Sequence, residues 1–323
     1  MIWFRELIVM LVIAGGGSLS AGATPGTQAS DPAPPGCGGI LQQGGLVICQ
    51  APAGTQFRWN DRQVRADEEG WAMFGLGRDA GQELRISIRP PQGAEIVQEL
   101  TIEPRNDVFR VIEGLDCDKV DARTPEQKAH AGRSWVKKQE AFGAFHEGRG
   151  ALDGFVRPAK GPPSSPFGPA RKYVGVSAQT GEPCEKVSVH RGYDIAAPTG
   201  TPVIAPAPGT VTLADPDLYY EGGTVFLDHG HGLVSVFMHL SEVDVSAGDE
   251  IASGERLGAV GNTGRTTGPH LHWAVKWRDM SRDDRSGDFY IDPALLLDLD
   301  AGRAMPGRGK DGAPVQTGTI NPE

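Results

Sequence analysis

The segment GPHLHW, at residues 268–273, gives the clearest indication of the local fold. His270 and His272 alternate with the apolar Leu271 and Trp273, which is the pattern of a β-strand with one face against a core. Both imidazoles therefore point to the same face, about 7 Å apart along the strand. We expect one of them to bind a metal ion while the other stands beside an open coordination position.

A second segment, HRGYD at residues 190–194, supplies another histidine and a carboxylate. The residues on either side, VSV at 187–189 and AAPTG at 196–200, disfavour a helix. A bend near Gly192 would instead bring His190 and Asp194 to one point. Two histidines and one carboxylate leave a fourth tetrahedral position for water, which catalytic zinc requires. The chain has no HExxH, so the common helical zinc-protease site is excluded.

With FMHL at 237–240, these segments resemble the lysostaphin/LytM-type zinc endopeptidases, whose pattern is HxxxD, a histidine in a short strand, and HxH. The framework resembles them as well, in DIAAPTGTPVIAPAPGTV (194–211) and VSAGDEIASGERLGAVGNTG (245–264). The resemblance covers about residues 155 to 300. It implies one zinc ion bound by His190, Asp194 and His272, with His239 and His270 as the catalytic pair. Its implied substrate is the stem peptides of peptidoglycan, cut by a zinc-activated water.

Two positions depart from the family pattern. Many relatives carry a tyrosine shortly before the first ligand, but no tyrosine lies between Tyr173 and His190 here. Phe237, the first residue of FMHL, stands at a position where relatives often have a tyrosine. The residue that stabilises the oxyanion is therefore unassigned.

The residues N-terminal to the peptidase-like region are also predicted to form β-structure. Short apolar segments alternate with turns at a spacing of roughly ten residues, which is typical of a small β-sandwich. The stretch resembles the immunoglobulin-like domain that precedes such peptidases in some proteobacterial envelope proteins. It has no cluster of catalytic residue types, so we expect a structural or binding use, such as contact with an envelope protein. Its predicted strands are 46–48, 57–64, 71–74, 84–88, 96–102 and 108–112.

A helix is predicted over 124–147. Thr124 and Gln127 fit a capping box, with Pro125 at the first helical position. Trp135, Phe142 and Phe145 fall on one helical face, so we expect a linker helix that packs on a neighbouring domain.

The predicted fold is thus mainly β: an N-terminal small β-sandwich, a linker helix and a C-terminal LytM-like antiparallel β-sheet metallopeptidase domain. Strands of the last domain are expected at 203–205, 209–213, 224–227, 233–238, 256–260 and 271–276. The expected boundaries are a signal peptide at 1–23, a flexible spacer at 24–36, the immunoglobulin-like domain at 37–120, the linker helix at 121–150, the zinc endopeptidase domain at 151–300 and a disordered tail at 301–323.

Composition agrees with this organisation. Gly (45) and Pro (25) are abundant, which favours β-structure with many turns over a helical bundle. The formal net charge of -10 argues against a general nucleic-acid binder. Arg5, the apolar run 7–14 and the small residues 21–23 form an export signal, with retention as a membrane anchor as the alternative to cleavage. We expect a periplasmic or cell-envelope protein.

Four cysteines in an exported chain favour disulfides over a zinc site, because no CxxC pair is present. Three pairings are possible. We prefer Cys37–Cys49 by proximity, which leaves Cys117–Cys184.

Three alternative interpretations remain open, one for a second histidine pattern and two for the function of the chain. His229 and His231 form a second HxH pattern, for which a hairpin turn is the better interpretation, with Asp228 capping that turn. The chain could be a non-catalytic binding module, since its Val-x-Ala-Pro pattern is similar to that of lipoyl-type carriers, or a regulator that activates another cell-wall hydrolase. However, it has no lysine at a carrier's hairpin tip, and it keeps all three ligands and both catalytic histidines.

The scissile bond is expected to be D-Ala to diaminopimelate, with a pentaglycine bridge as its rival. Loops at 215–223 and 277–288 are expected to shape the groove. Three arginines of the second loop are candidates to pair with stem-peptide carboxylates, or else are solvated surface charge: Arg278, Arg282 and Arg285.

Overall fold

The computed structural model describes residues 34–116, 122, 124–177, 181–282 and 284–299. The predicted signal peptide, most of the spacer and the predicted tail lie outside these residues. The described chain is mainly β, as predicted, with twenty strands and two helices. Neither of these helices has the length and hydropathy of a membrane-spanning segment.

The N-terminal region is a two-sheet sandwich. Its strands are β1 (Gly36–Gly39), β2 (Leu46–Gln50), β3 (Gln56–Trp59), β4 (Arg62–Arg65), β5 (Trp71–Gly75), β6 (Glu83–Arg89) and β7 (Ile96–Thr101). One sheet has the order β1-β2-β5 and the other the order β4-β3-β6-β7. This division of seven strands between two sheets is that of an immunoglobulin-like sandwich.

Alternating apolar and polar residues along the strands place apolar side chains in the core of the sandwich. Along β6, Leu84, Ile86 and Ile88 are buried while Glu83, Arg85 and Arg89 are exposed. Between the sheets, the ring of Trp59 stacks on that of Phe74 with centroids 3.8 Å apart. The predicted strand 57–64 is wrong: it is a hairpin of β3 and β4, and Asn60 adopts a φ of 50° in its turn.

The disulfide Cys37–Cys49 joins β1 to β2, where the two residues are directly opposed in the ladder. This confirms the first predicted pairing. Cys184 is also disulfide-bonded, but Cys117 lies outside the described residues.

Helix α1 (Pro125–Gly143) connects the two regions. The predicted capping box is present, because Thr124 and Gln127 exchange side-chain hydrogen bonds with each other's backbone. Of the three aromatic residues expected to pack, only Phe142 is buried. Trp135 is 59% exposed, and Phe145 lies beyond the helix and is 47% exposed. The expectation of one packed aromatic face was therefore wrong for two of its three members.

The C-terminal region is built around one large antiparallel sheet. Its elements, preceded by β8 (Arg110–Asp116), are β9 (Pro163–Ser165), β10 (Ala170–Val176), β11 (Pro183–Val189), β12 (Tyr193–Ala196), β13 (Pro202–Ile204), β14 (Gly209–Leu218), β15 (Gly222–Asp228), β16 (Leu233–Val243), β17 (Glu250–Ile251), β18 (Arg256–Val260), β19 (His270–Trp277), β20 (Phe289–Ile291) and α2 (Pro293–Leu296). The central order is β17-β14-β15-β16-β19-β12-β9, with β13 and β18 joined through β16 and with β20 beside β19. Strands β8, β10 and β11 form a separate three-stranded sheet, so the predicted sandwich strand 108–112 is wrong in its placement: it overlaps β8, outside the sandwich.

The sandwich and the large sheet share a hydrophobic core. Trp277 at the end of β19 lies 6.0 Å from Trp59 of the sandwich, between ring centroids. Gly75 packs so closely on this seam that a Cβ atom there would lie 2.8 Å from Ile291 and 2.9 Å from Trp277. Arg105 adds a polar link, because its Nη1 bonds Asp292 at 2.7 Å. The predicted domain boundaries stay a prediction.

Candidate metal centre

Pairing of β12 with β19 places the candidate ligands beside each other. Asp194 lies opposite His272 in the ladder. Residues directly opposed in adjacent strands put their side chains on the same face. Leu271 and Trp273 are fully buried on the other face, as the alternation predicted.

His190 reaches the same point through a bend at Gly192, as expected. A Cβ atom on residue 192 would lie 2.4 Å from Nε2 of His272. Only glycine lets the chain pass so close to this imidazole. His190 and Asp194 therefore converge although they are not on a helix.

Three donor atoms face a common point. His190 Nε2 lies 3.2 Å from Asp194 Oδ1 and 3.3 Å from His272 Nδ1. His272 Nδ1 lies 2.8 Å from the same carboxylate oxygen. Ligands about 2.0–2.1 Å from a tetrahedral ion are roughly 3.3 Å apart. The nitrogen and oxygen donors thus fit a divalent metal ion, and a fourth position stays available to water or substrate.

Backbone carbonyls fix the ring orientations. His190 Nδ1 donates to the carbonyl of Pro166 at 2.7 Å, which leaves Nε2 as its ligand atom. A second hydrogen bond of this kind is what orients most metal-binding histidines. The sequence patterns did not reveal this contact, because Pro166 is far from the motifs along the chain.

His239 and His270 stand beside the three donors. Their ring centroids are 5.0 Å apart, and that of His239 is 6.0 Å from His272. Nδ1 of His239 donates to the carbonyl of Thr263 at 2.9 Å, and Nδ1 of His270 donates to that of Gly268 at 2.8 Å. Each ring therefore has an unprotonated Nε2 in its neutral form, ready to accept a proton.

The electrostatics of the cluster favour an ionised Asp194 and neutral rings at His239 and His272, because burial lowers the pKa of both histidines. Burial alone would oppose ionisation of Asp194, but the close contacts with the rings of His190 and His272 hold the pKa of that carboxyl well below its usual range. Burial, helped by neighbouring imidazoles, lowers the pKa of His239 to about 3. His239 also adopts a φ of 65°, in the left-handed region that non-glycine residues occupy uncommonly.

The second HxH pattern is a hairpin turn between β15 and β16, as interpreted. His229 is buried and uses both ring nitrogens within the protein, on the carbonyl of Pro208 and the hydroxyl of Ser235. Asp228 accepts from the backbone of Gly230, as a turn cap does. It also makes a buried ion pair with Arg278 at 2.9 Å.

That ion pair corrects one prediction about the loop 277–288. Arg278 is 1% exposed and bonds the end of α1, so it is structural and unavailable to substrate. Arg282 pairs with Asp61 of the sandwich. Arg285 donates to Gln139 of α1 and keeps access to a cavity.

The fold and the donor cluster define a metallopeptidase domain. Residues 188–284 match the model of Peptidase family M23, so the C-terminal region contains an M23 peptidase domain. A crystal structure of a Pseudomonas aeruginosa protein assigned to the M23 peptidases superposes with a TM-score of 0.54 at 28% identity. The superposition covers 80% of this chain and 95% of that one.

Curated relatives match over shorter stretches. An uncharacterised metalloprotease of Haemophilus influenzae is 39% identical over 150 residues, which is 44% of this chain and 29% of the relative. The peptidoglycan DD-endopeptidase ShyA of Vibrio cholerae is 40% identical over 91 residues, or 28% and 21% of the two chains. This chain thus spans less than a third of the length of these relatives.

Proposed function

We propose that this chain is an exported zinc metalloendopeptidase that hydrolyses the peptide crosslinks of peptidoglycan. The observation that carries the proposal is the set of three donor atoms 2.8 to 3.3 Å apart with two further imidazoles beside them. His190, Asp194 and His272 would hold one zinc ion. Its nitrogen and oxygen donors suit zinc, and the fourth position suits catalysis.

Zinc, when bound, polarises the scissile carbonyl and makes a water acidic enough to attack at neutral pH. His239 and His270 would manage the proton: a neutral Nε2 accepts it from the attacking water and returns it to the departing amine. The carbonyls of Thr263 and Gly268 hold both rings in the tautomer that this transfer needs. Asp194 stays ionised throughout and balances positive charge in the cluster.

The bond we propose is D-Ala to diaminopimelate. The names of two relatives support a bond between D-centres: the DD-endopeptidase of Vibrio cholerae, and the DD-carboxypeptidase/endopeptidase Mpg of Neisseria meningitidis, which is 42% identical over 88 residues. A periplasmic or cell-envelope location follows from that substrate, and a disulfide in the sandwich suits an oxidising compartment. The sandwich would contact an envelope protein partner.

One experiment tests the proposal. Purified, zinc-loaded protein is incubated with diaminopimelate-type peptidoglycan sacculi, and the released muropeptides are identified by mass spectrometry. We expect crosslinked dimers to become monomers while glycan strands stay intact. Absence of that conversion at full zinc occupancy, or activity only on pentaglycine, would contradict it.

The matched variant is His239→Ala. Because His239 serves proton transfer rather than coordination, we expect zinc content by elemental analysis to be unchanged and turnover to fall about 100-fold or more. Near-normal turnover would mean that His270 acts alone.

A further inference from the structure

A cavity of about 480 Å³ lies beside the metal centre, on the same face of the large sheet. Val189 and Arg191, on either side of His190, line one wall. Helix α1 forms a second wall, and the sandwich supplies a third through Gly77 to Asp79. Three parts of the chain that are distant in sequence therefore build one pocket.

The geometry of β19 relates the cavity to the metal centre. Lys276 lines the cavity and is four residues beyond His272 on the same strand. Side chains at even separations share a face, and four residues span about 13 Å. An extended peptide bound at the metal centre would thus reach the cavity about four residues from the scissile amide.

The lining is rich in positive charge. Five cationic side chains face three carboxylates: Arg78, Lys138, Arg191, Lys276 and Arg285 against Asp79, Glu221 and Asp288. Three of the cations are neutralised by ion pairs with Asp107, Glu221 and Asp288, respectively.

Two guanidinium groups remain. Arg191 is exposed, and its guanidinium carbon lies 5.7 Å from the ring centroid of Tyr290. Arg285 donates to Gln139 at 2.9 Å and is held with a φ of 57°, a backbone that L side chains rarely adopt. Within the described ranges, neither has a carboxylate partner. Asp79, exposed at the sandwich wall, is the one lining carboxylate left to oppose them.

The rest of the lining suits an organic anion better than a bare ion. Phe142, Phe226 and Phe289 offer apolar surface for an aliphatic stem. Burial raises the pKa of Tyr290 to about 12, so its hydroxyl stays a neutral hydrogen-bond donor at physiological pH. Guanidinium groups recognise carboxylates through paired hydrogen bonds.

We propose that this cavity binds a free carboxylate on an arm of the crosslinked peptide substrate, held by Arg191 and Arg285. The substrate identity in this inference rests on the proposed function. Helix α1 and the sandwich are then parts of the substrate-binding surface, and the pocket selects acidic stems over amidated ones.

The test is a binding measurement on the full chain, zinc-loaded and carrying His239→Ala so that little substrate is consumed during the measurement. The probes are a soluble crosslinked dimer of stem peptides with free carboxylates and the same dimer with its carboxylates amidated. We expect the acid to bind about tenfold more tightly than the amide, which is the ratio for one charge-assisted hydrogen bond. Arg191→Gln and Arg285→Gln should each move that ratio toward one.

Arg282→Gln is the matched control, because Arg282 belongs to the same loop as Arg285 but pairs with Asp61 outside the cavity. It should keep the ratio. Arg191 is exposed, so Arg191→Gln should fold. Thermal unfolding and zinc analysis check that both cavity variants are folded and metal-loaded. The proposal would be overturned if the His239→Ala protein bound the acid and the amidated dimer equally well. It would also be overturned if neither Arg191→Gln nor Arg285→Gln changed the ratio of the two affinities.

The binding assay and the cleavage assay test the two proposals independently. Acid-selective binding by a protein that does not cleave sacculi would leave the cavity assignment standing and remove the proposed function. Cleavage without acid selectivity would do the reverse.

Discussion

His190 and His229 show how local surroundings decide the use of a histidine. Each donates from Nδ1 to the carbonyl of a proline, but His229 also bonds Ser235 through Nε2 deep in the core. His190 keeps Nε2 directed at Asp194 and His272. The same residue type is thus a packing element at position 229 and a candidate metal ligand at position 190.

The pH dependence of stability should report the buried His229. Burial lowers its pKa to about 4, against about 6.5 when unfolded. Between these values the unfolded state binds more protons, so the free energy of unfolding falls as pH drops from about 6.5 to about 4, by about 3 kcal/mol from this group. In urea unfolding measured across this pH range, the free energy of unfolding of His229→Gln should depend less steeply on pH than that of the unchanged protein. His130→Gln, on α1, is the control; an unchanged slope in the His229 variant would contradict the assignment.

Gly192 should control metal affinity without touching the metal. Gly192→Ala would push His272 away, because the new Cβ atom would lie 2.4 Å from its ring. We expect zinc affinity to fall about 10- to 100-fold, as for other changes that misplace a ligand. Gly268→Ala is the matched control, since nothing lies within 4 Å of its Cβ position and its carbonyl still orients His270. Competition with a zinc chelator measures both; equal affinities would refute the steric argument.

At the scale of elements, α1 is attached through its C-terminal half. Phe142 packs on Phe226 of β15 with centroids 4.6 Å apart, and Arg278 bonds the carbonyls at the helix end. The helix is thereby held on the face of the sheet that carries the metal centre.

Phe142 should carry most of this attachment. Phe142→Ala leaves a cavity between helix and sheet, so we expect the free energy of unfolding to fall by about 3–4 kcal/mol. Trp135→Ala, at a residue that is 59% exposed on the same helix, should change it by less than about 1 kcal/mol. Denaturant unfolding compares the two, and similar losses would mean that helix propensity rather than packing holds α1.

These elements also mark the limit of prediction from sequence. The HxH strand was predictable because alternation alone sets the faces of His270 and His272. The helix start was predictable because its cap is local, at Thr124 and Gln127. The exposed Trp135 was not, because helical periodicity does not say which face meets a partner. Strands such as β9, with three residues, depend on pairing with distant β12 and leave no local pattern.

For the site, the five residues that the structure brings together were all named from sequence. What sequence could not supply is their surroundings. The contact of His239 with the carbonyl of Thr263 and the approach of Arg191 to Tyr290 depend on tertiary proximity. The motifs contain Thr263 and Arg191 but do not encode these contacts. Arg278 was misjudged for the same reason: a run of loop arginines looks solvated until Asp228 is placed beside one of them.

At the scale of the whole molecule, the described chain has a continuous core rather than two separate ones. Trp59 contacts both Phe74 within the sandwich and Trp277 of the large sheet. Arg105 bridges the same two regions through Asp292. We therefore expect the two regions to unfold together.

Calorimetry should show one transition for the full chain. Trp59→Ala should lower its midpoint without splitting it, with a loss of about 3–5 kcal/mol, because one side chain supports both regions. Val97→Ala, at a partly exposed position of β7, is the control and should leave the midpoint nearly unchanged. Two resolved transitions in the full chain would show that the regions are independent.

Gly75 limits how freely the sandwich could be exchanged for another front domain. A front domain can be exchanged between proteins when it meets its neighbour through a surface that tolerates side chains. At Gly75 the backbone itself is the surface, pressed against Ile291 and Trp277. A different sandwich grafted in front of this peptidase would need a residue without a side chain at that point. We therefore expect the pair to have been inherited and remodelled as one unit, and chimaeras joined at α1 to require the seam to be transplanted with the sandwich.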